Sequence, residues 1–113
     1  MDTVLVVDDD VLIAELASSQ LEEEGFYVVV AHNADEAIRI LEARSDIHTV
    51  FTDVNMPGSM DGAKLALAVK DRWPPVNIIV TSGRPYPDTL PGGSTFFHKP
   101  YEMSQIITTI RAF

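Results

Sequence analysis

The sequence alternates short apolar runs with longer segments in which apolar residues recur every three or four positions. The first short run, TVLVV at residues 3–7, is continuous and stops at three aspartates. An uninterrupted run of β-branched and aliphatic residues is typical of a strand buried on both faces of a parallel sheet. The pattern predicts five strands, at residues 3–7, 27–31, 48–52, 77–81 and 95–98.

The longer segments predict amphipathic helices. The first covers residues 11–24 and is stopped by Gly25, and the second runs to Arg44 behind a cap at Asn33 or Asp35. A third helix ends before Pro74-Pro75, and a last one covers residues 102–113. Their apolar positions are Leu12, Ile13, Leu16, Ala17 and Leu21; Ala37, Ile38 and Leu41; Leu65, Ala66, Val69 and Trp73; and Met103, Ile106, Ile107, Ile110 and Phe113.

Strands that alternate with helices predict right-handed βαβ units, and therefore a parallel sheet covered by helices on both faces. In a chain of 113 residues, five such strands favour one α/β domain, residues 1–113, with a flavodoxin-like three-layer sandwich and the strand order 2-1-3-4-5. That order reverses between the first and third strands. Ligands of such folds bind beyond the carboxyl ends of the strands at this reversal.

Acidic residues stand at the two strand ends that flank the reversal. Asp8, Asp9 and Asp10 follow the first strand, and Asp53 follows the third. Carboxylates held this close cannot all stay ionised unaided, and a divalent cation removes the repulsion. Mg²⁺ is favoured because it takes oxygen ligands and often shares its shell with phosphate. An aspartate beside such an ion is a competent nucleophile for a phosphoryl group.

The later strands end in two further groups that suit phosphoryl transfer. Thr81 and Ser82 close the fourth strand, and Lys99 follows the fifth. A lysine offers a compact positive charge to one phosphoryl oxygen, and a hydroxyl donates a hydrogen bond to another. Because side chains alternate along a strand, only one of Thr81 and Ser82 can point at the site.

Composition narrows the classes of function. The chain has no cysteine, which excludes disulfides, zinc–thiolate sites and thiol nucleophiles. Eight basic against seventeen acidic residues give a formal net charge of −9, so we expect no direct contact with nucleic acid. No apolar run approaches the ~20 residues of a membrane span, and Asp2 argues against a secretory leader. We therefore expect a cytoplasmic protein that does not bind membranes.

Four motifs, in order and at near-usual spacing, resemble the signatures of two-component response-regulator receiver domains of the CheY-like superfamily. They are VLVVDDD, TDVNMPGSMDG, IIVTSG and FFHKPY, and together they cover essentially the whole chain. The resemblance implies a phosphoprotein that accepts a phosphoryl group from a histidine kinase or a histidine phosphotransfer protein, uses Mg²⁺, and signals by conformational switching. It implies no enzyme activity beyond its own phosphorylation and dephosphorylation. Because prolines at 85, 87 and 91 argue against a fourth helix that could pair between two copies, we expect at most a weak homodimer. A stand-alone regulator and a receiver of the hybrid-kinase type both fit.

The resemblance also assigns roles to individual residues. Asp53 matches the phosphoacceptor, and Asp8 and Asp9 match the acidic pair, with Asp9 as the direct metal ligand and Asp8 acting through water. Asn55 matches the position that lends its backbone carbonyl to the metal. The remaining matches are Lys99 as the phosphoryl-binding lysine, Phe96 as the aromatic switch residue, and Ser82, with Thr81 as the competing choice, as the switch hydroxyl.

Two departures from the family pattern stand out. The loop MPGSMDG is one residue longer than the commoner form, which predicts only a local change. Between Ser82 and Lys99 the family has a fourth helix, whereas this chain has prolines at 85, 87 and 91. Each would cost about 3 kcal/mol in a helix interior, so we expect that helix to be shortened or missing. Phosphorylation would then act by ordering this segment through Ser82 and Arg84.

Two other functions remain open on the residues alone. One is a pseudo-receiver that binds partners without being phosphorylated, which the retained Lys99 and acidic pair disfavour. The other is a magnesium-dependent phosphatase with an aspartyl nucleophile, which needs an acid two residues after Asp53, where this chain has Asn55. Other polar residues have ordinary structural interpretations: Asp10 and Asp61 as helix caps, His98 as a strand residue, and His32 and His48 as histidines with no partner histidine at metal spacing.

Overall fold

The computed structural model describes residues 2–56, 58, 60–83 and 90–113. In chain order the elements are β1 (Thr3–Val7), α1 (Val11–Glu23), β2 (Tyr27–Ala31), α2 (Ala34–Ala43), β3 (Ile47–Asp53), α3 (Gly62–Arg72), β4 (Asn77–Ser82), β5 (Thr95–His98) and α4 (Met103–Ala112). The predicted strands and helices are all present. The main difference is that β3 and β4 run one residue further than predicted, so Asp53 and Ser82 belong to the strands.

The five strands are parallel and lie in the order β2-β1-β3-β4-β5, as predicted. The reversal therefore lies between β1 and β3, the central pair. The carboxyl ends of all strands meet at one edge of the sheet. This places the residues that follow β1, β3 and β5 within reach of one another.

Each face of the sheet buries its own core, which confirms the three-layer sandwich. On one face, Leu5, Val7, Val50 and Val80 pack with residues of α2 and α3 such as Leu41 and Leu65. On the other face, Val4, Val6, Phe51 and Ile79 pack with residues of α1 and α4 such as Leu21 and Ile106. The alternation along β1 and β3 decides which face each later residue joins. Asp8 and Asp53 continue the series that points toward α1 and α4.

Side-chain caps fix where three helices begin. Asp10 Oδ1 accepts from the amides of Leu12 and Ile13 at 3.0 and 3.1 Å, and Asp61 Oδ1 accepts from the amide of Lys64 at 2.9 Å. Both predicted caps are thus confirmed. At α2 the cap is Asn33, whose Oδ1 accepts from the Glu36 amide at 2.8 Å. Asp35 lies inside the first turn, where a carboxylate favours the positive helix end.

The segment between β4 and β5 carries no helix in its described residues, 83 and 90–94. Gly92 and Gly93 form a turn there. This supports the prediction that the family's fourth helix is shortened or missing. Arg84, Pro85 and Pro87, on which part of that prediction rested, lie outside the described residues, as do Pro57 and Ser59 of the loop after β3. Among the helices described, none has the length and apolar character needed to cross a membrane.

Candidate functional site

Three carboxylates meet at the carboxyl end of the sheet. Asp8 and Asp9 follow β1 and Asp53 ends β3, and each can place one oxygen within 4.8 Å of the others. Asp8 and Asp53 are only 8% and 9% exposed, whereas Asp9 is exposed. The cluster predicted from the strand ends is therefore present, with two nearly buried carboxylates and one exposed to solvent.

The backbone around Asp8 is held from several sides. Its amide donates to the Ala31 carbonyl at 3.1 Å, and its Oδ1 accepts from the Asp10 amide at 2.9 Å. His32 Nδ1 lies 3.3 Å from the Asp8 carbonyl oxygen, at donor distance for the tautomer protonated on Nδ1. These bonds join β1, the end of β2 and the start of α1. The acidic turn is thus fixed by its neighbours.

Lys99 and Asn55 contribute donors to the carboxylate of Asp53. Lys99 Nζ lies 3.1 Å from Asp53 Oδ2, and the Asn55 amide lies 3.3 Å from Oδ1. The backbone amide of Lys99 donates to the Ser82 carbonyl at 2.8 Å, which anchors the lysine to the end of β4. Lys99 keeps a third of its side chain exposed, so its ammonium can also meet a ligand from solvent. The backbone amide of Asn55 points toward the Asp53 carboxylate, whereas the Asn55 side chain is exposed to solvent.

The negative charge of the three carboxylates exceeds the positive charge of Lys99, the cation paired with Asp53. Burial raises the pKa of the Asp8 carboxyl above its ordinary value, and the charges of Asp53 and Asp9 raise it further. The hydrogen bond from the Asp10 amide and the charge of Lys99 lower that pKa and offset part of the rise. Three carboxylates beside one lysine form a set of hard oxygen donors with excess negative charge. These residues fit a small divalent cation such as Mg²⁺.

The two candidate hydroxyls lie on different faces of the sheet. Thr81 is the register partner of Asp53 and lines a small cavity with Asp8 and Asp53, which we call the acidic cavity. Ser82 is the next residue and is buried. Phe96 pairs with Val80, so Phe96 and Ser82 share the face that carries α2 and α3. Thr81 is thus beside the acceptor, and Ser82 is on the face of the expected aromatic switch; the choice between them stays a prediction.

Sequence reasoning missed three residues at this site. Tyr101 lines the acidic cavity, His32 contacts the Asp8 carbonyl, and Gly62 approaches the backbone of β3. A Cβ at Gly62 would overlap the Asp53 carbonyl oxygen, so only glycine fits there. The sequence signals for these residues are weak: Tyr101 stands two residues after Lys99, and Gly62 ends the loop MPGSMDG. His98, by contrast, is an exposed residue of β5, as predicted.

Comparison with known proteins gives consistent matches. Residues 4–111 match the family described as "Response regulator receiver domain". The chain is 30% identical to "Putative response regulator NtrX-like" of Rickettsia bellii over 96% of its own length and 24% of that protein. It is 31% identical to "Heme response regulator HssR" of Staphylococcus saprophyticus over 99% of its own length and 51% of that protein. The chain thus spans about a quarter to a half of these relatives.

A solved structure shares the fold over nearly the whole chain. The response regulator protein TrrA from Thermotoga maritima, solved in complex with Mg(2+)-BeF, superposes with a TM-score of 0.89. The sequences are 24% identical, and the match covers 99% of this chain and 98% of TrrA. At that identity the likeness establishes the three-layer architecture.

Proposed function

Because the chain belongs to the response regulator receiver domain family, we propose that it accepts a phosphoryl group on the carboxylate of Asp53. The donor is a histidine kinase or a histidine phosphotransfer protein. One observation carries the proposal: Asp8, Asp9 and Asp53 converge within 4.8 Å at the reversal of strand order, with Lys99 Nζ 3.1 Å from Asp53. The chain then signals by changing conformation.

In the proposed reaction an oxygen of Asp53 forms a bond to phosphorus as the bond from phosphorus to the histidine nitrogen of the donor breaks. The imidazole leaves as a neutral group after taking a proton from solvent. Lys99 can pair with one phosphoryl oxygen while its backbone stays anchored on Ser82. The hydroxyl of Ser82, or that of Thr81, donates a hydrogen bond to a second oxygen. Return to the free carboxylate is hydrolysis by water, so the domain acts only on its own acyl phosphate.

Asp8, Asp9, Asp53 and the backbone carbonyl of Asn55 would hold Mg²⁺. When bound, this ion offsets the negative charge that builds on the phosphoryl oxygens. The chain's own residues supply the rest. Asp8 and Asp53 are nearly buried, so a donor group that reaches them is also removed from bulk water. The relative TrrA was solved with Mg(2+)-BeF, which supports the same choice of ion here.

The surface beside the site supports a protein as the phosphodonor. The first turns of α1 start directly after the acidic residues, and they expose Leu12 and Leu16 to 75% and 61%. A protein that brings a phosphohistidine to Asp53 would cover these side chains, whereas a small phosphodonor would leave them in water. The net charge of −9 supports a domain that avoids nucleic acid. We further propose that it works in the cytoplasm, where histidine kinases present their phosphohistidine.

Incubation with acetyl phosphate and Mg²⁺, read by intact mass, tests this proposal. We expect one added phosphoryl group on the wild-type chain and none on Asp53→Asn, because the amide is not a nucleophile. Asp61→Asn is the matched control: it makes the same change at a helix cap where asparagine also functions, and it should be labelled like the wild type. Equal labelling of Asp53→Asn would reject Asp53 as the acceptor. A wild-type chain that gains no mass would instead indicate the pseudo-receiver.

A further inference from the structure

Tyr101 separates the acidic cavity from a groove on the molecular surface. On its inner side, the acidic cavity is lined by Asp8, Asp53 and Thr81. Outside lies a groove between α1 and α4, lined by Ile13, Leu16, Ala17, Gln20, Tyr101 and Met103, which we call the α1–α4 groove. Tyr101, Ile13 and Ala17 border both spaces. A movement of the Tyr101 ring would therefore change both at once.

The position of the ring is set by packing. Tyr101 lies between Lys99-Pro100 and the start of α4, and its ring meets the Phe51 ring edge-on, with centroids 5.8 Å apart at 79°. The side chain is half-buried, and its hydroxyl makes no hydrogen bond to any residue in the described part of the chain. The hydroxyl is therefore free to turn toward a new charge. The ring cannot turn without displacing the side chains that it contacts.

The hydroxyl also senses the charges of the site. Burial raises the pKa of Tyr101 above its ordinary value, and the negative charges of Asp8 and Asp53 raise it further. A neutral phenol near carboxylates orients its O–H dipole toward them. A phosphoryl group on Asp53 adds negative charge and three acceptor oxygens beside the same cavity. The phenol is thus drawn toward the phosphorylated acceptor more strongly than toward the free one.

We propose that Tyr101 couples the charge on Asp53 to the shape of the α1–α4 groove. The coupling rests on the proposed function, since it needs Asp53 to gain a phosphoryl group. It acts on the face of the sheet that carries α1 and α4, whereas Ser82 and Phe96 lie on the opposite face. The described residues between β4 and β5 offer no helix as a readout. The α1–α4 groove, in contrast, is bordered by two complete helices and reports the state of Asp53 through one side chain.

Beryllofluoride with Mg²⁺, which mimics an aspartyl phosphate, provides the test on the whole chain. Its binding is followed by ¹⁹F NMR, and the groove is followed by methyl NMR of Ile13 and Met103. In the wild type, binding should shift both methyl signals. In Tyr101→Phe we expect weaker beryllofluoride binding, because the hydroxyl no longer meets the added charge. At saturating beryllofluoride we expect the methyl shifts to be reduced by at least half, since the ring remains but its dipole is lost. Tyr27→Phe, at an exposed tyrosine on β2, is the matched control and should behave like the wild type.

Four results would count against the inference. Methyl shifts in Tyr101→Phe that equal those of the wild type, with beryllofluoride bound, would show that the hydroxyl does not carry the signal. A wild-type chain that binds beryllofluoride with no change at Ile13 and Met103 would show that the groove does not respond. A wild-type chain that fails to bind it would remove the proposed function, and the coupling with it. A ¹³C shift of the Tyr101 ring on binding gives a second readout that needs no variant, and its absence would also count against the coupling.

Discussion

At the end of β4, a shift of one residue decides which hydroxyl faces Asp53. Thr81 lies level with Asp53 in the strand register, whereas Ser82 is one residue further toward the carboxyl end. Asp53 and Thr81 point to the same face of the sheet and line the acidic cavity, whereas Ser82 points to the opposite face. Sequence reasoning could name the pair of hydroxyls but could not separate them, because a shift of one residue exchanges the faces of a strand.

Because Thr81 lies on the face of Asp53, we expect the hydroxyl of Thr81 to bind the phosphoryl group. Thr81→Val, which keeps the shape of the side chain but not its hydroxyl, should slow labelling by acetyl phosphate about tenfold, because a hydrogen bond to a charged group is worth ~1.5 kcal/mol. Thr81→Ser keeps the hydroxyl and should restore most of the rate, and Ser82→Ala, on the opposite face, should label at nearly the wild-type rate. The rates are read by intact mass over time. The reverse ranking, with Ser82→Ala slow and Thr81→Val unchanged, would assign the role to Ser82.

At the scale of elements, the turn from β1 into α1 divides its tasks among three aspartates. Asp8 and Asp9 belong to the carboxylate cluster, and Asp10 caps α1. The sequence DDD does not itself distinguish them. The distinction follows from the strand, which ends at Val7, and from the helix, which needs an acceptor at the residue before Val11. Element boundaries, and the chemistry that they assign, were thus largely predictable here.

Asp9→Ala and Asp10→Ala should therefore have opposite effects. Asp9→Ala removes an exposed oxygen ligand, so Mg²⁺ affinity measured by calorimetry should fall at least tenfold while stability to urea changes little. Asp10→Ala should retain Mg²⁺ binding and lower the free energy of unfolding by about 1 kcal/mol through loss of the cap. Asp10→Asn is the control for the cap, since asparagine caps helices as well, and it should be close to the wild type in both measurements. Loss of Mg²⁺ binding in Asp10→Ala alone would mean that the acidic pair is misassigned.

At the scale of the whole molecule, the sheet order, the two cores and the cluster at the strand reversal followed from the sequence. They could be predicted because each depends on repeated local signals, such as the run Thr3–Val7 and the apolar stripe that includes Ala37 and Leu41. The roles of Tyr101 and Gly62 could not, because both arise from distant elements that meet only in the folded chain. A local contact that the sequence analysis did not name is the ion pair between Arg44 and Asp46, two residues apart in the loop from α2 to β3.

That ion pair predicts how global stability depends on pH. Arg44 donates to both oxygens of Asp46 at 2.9 and 2.7 Å, and these bonds lower the pKa of Asp46 to about 2. The unfolded carboxyl titrates near ~3.9, so the pair stabilises the fold above that pH, and its contribution is lost as the pH falls from about 4 to about 2. Arg44→Gln should raise the pKa of Asp46 toward its ordinary value and reduce the loss of stability between pH 5 and pH 2.

Urea denaturation at the two pH values, with a ¹³C titration of the Asp46 carboxyl, measures both effects. Arg39→Gln removes the same charge from an exposed arginine that forms no ion pair with the described residues, and it should keep the wild-type pH dependence. If Arg44→Gln and the wild type lose equal stability between pH 5 and pH 2, the ion pair does not contribute to the pH dependence of stability.

The coupling through Tyr101 also acts from the α1–α4 groove back to Asp53. Thermodynamic linkage is reciprocal, so a coupling between two sites changes both equilibria by the same factor. If a phosphoryl group on Asp53 favours one shape of the α1–α4 groove, then any molecule that prefers this shape favours phosphorylated Asp53 to the same degree. A coupling of 1.4 kcal/mol would correspond to about tenfold. A protein that fills the groove would thus set the standing fraction of phosphorylated chains without touching the phosphoryl group.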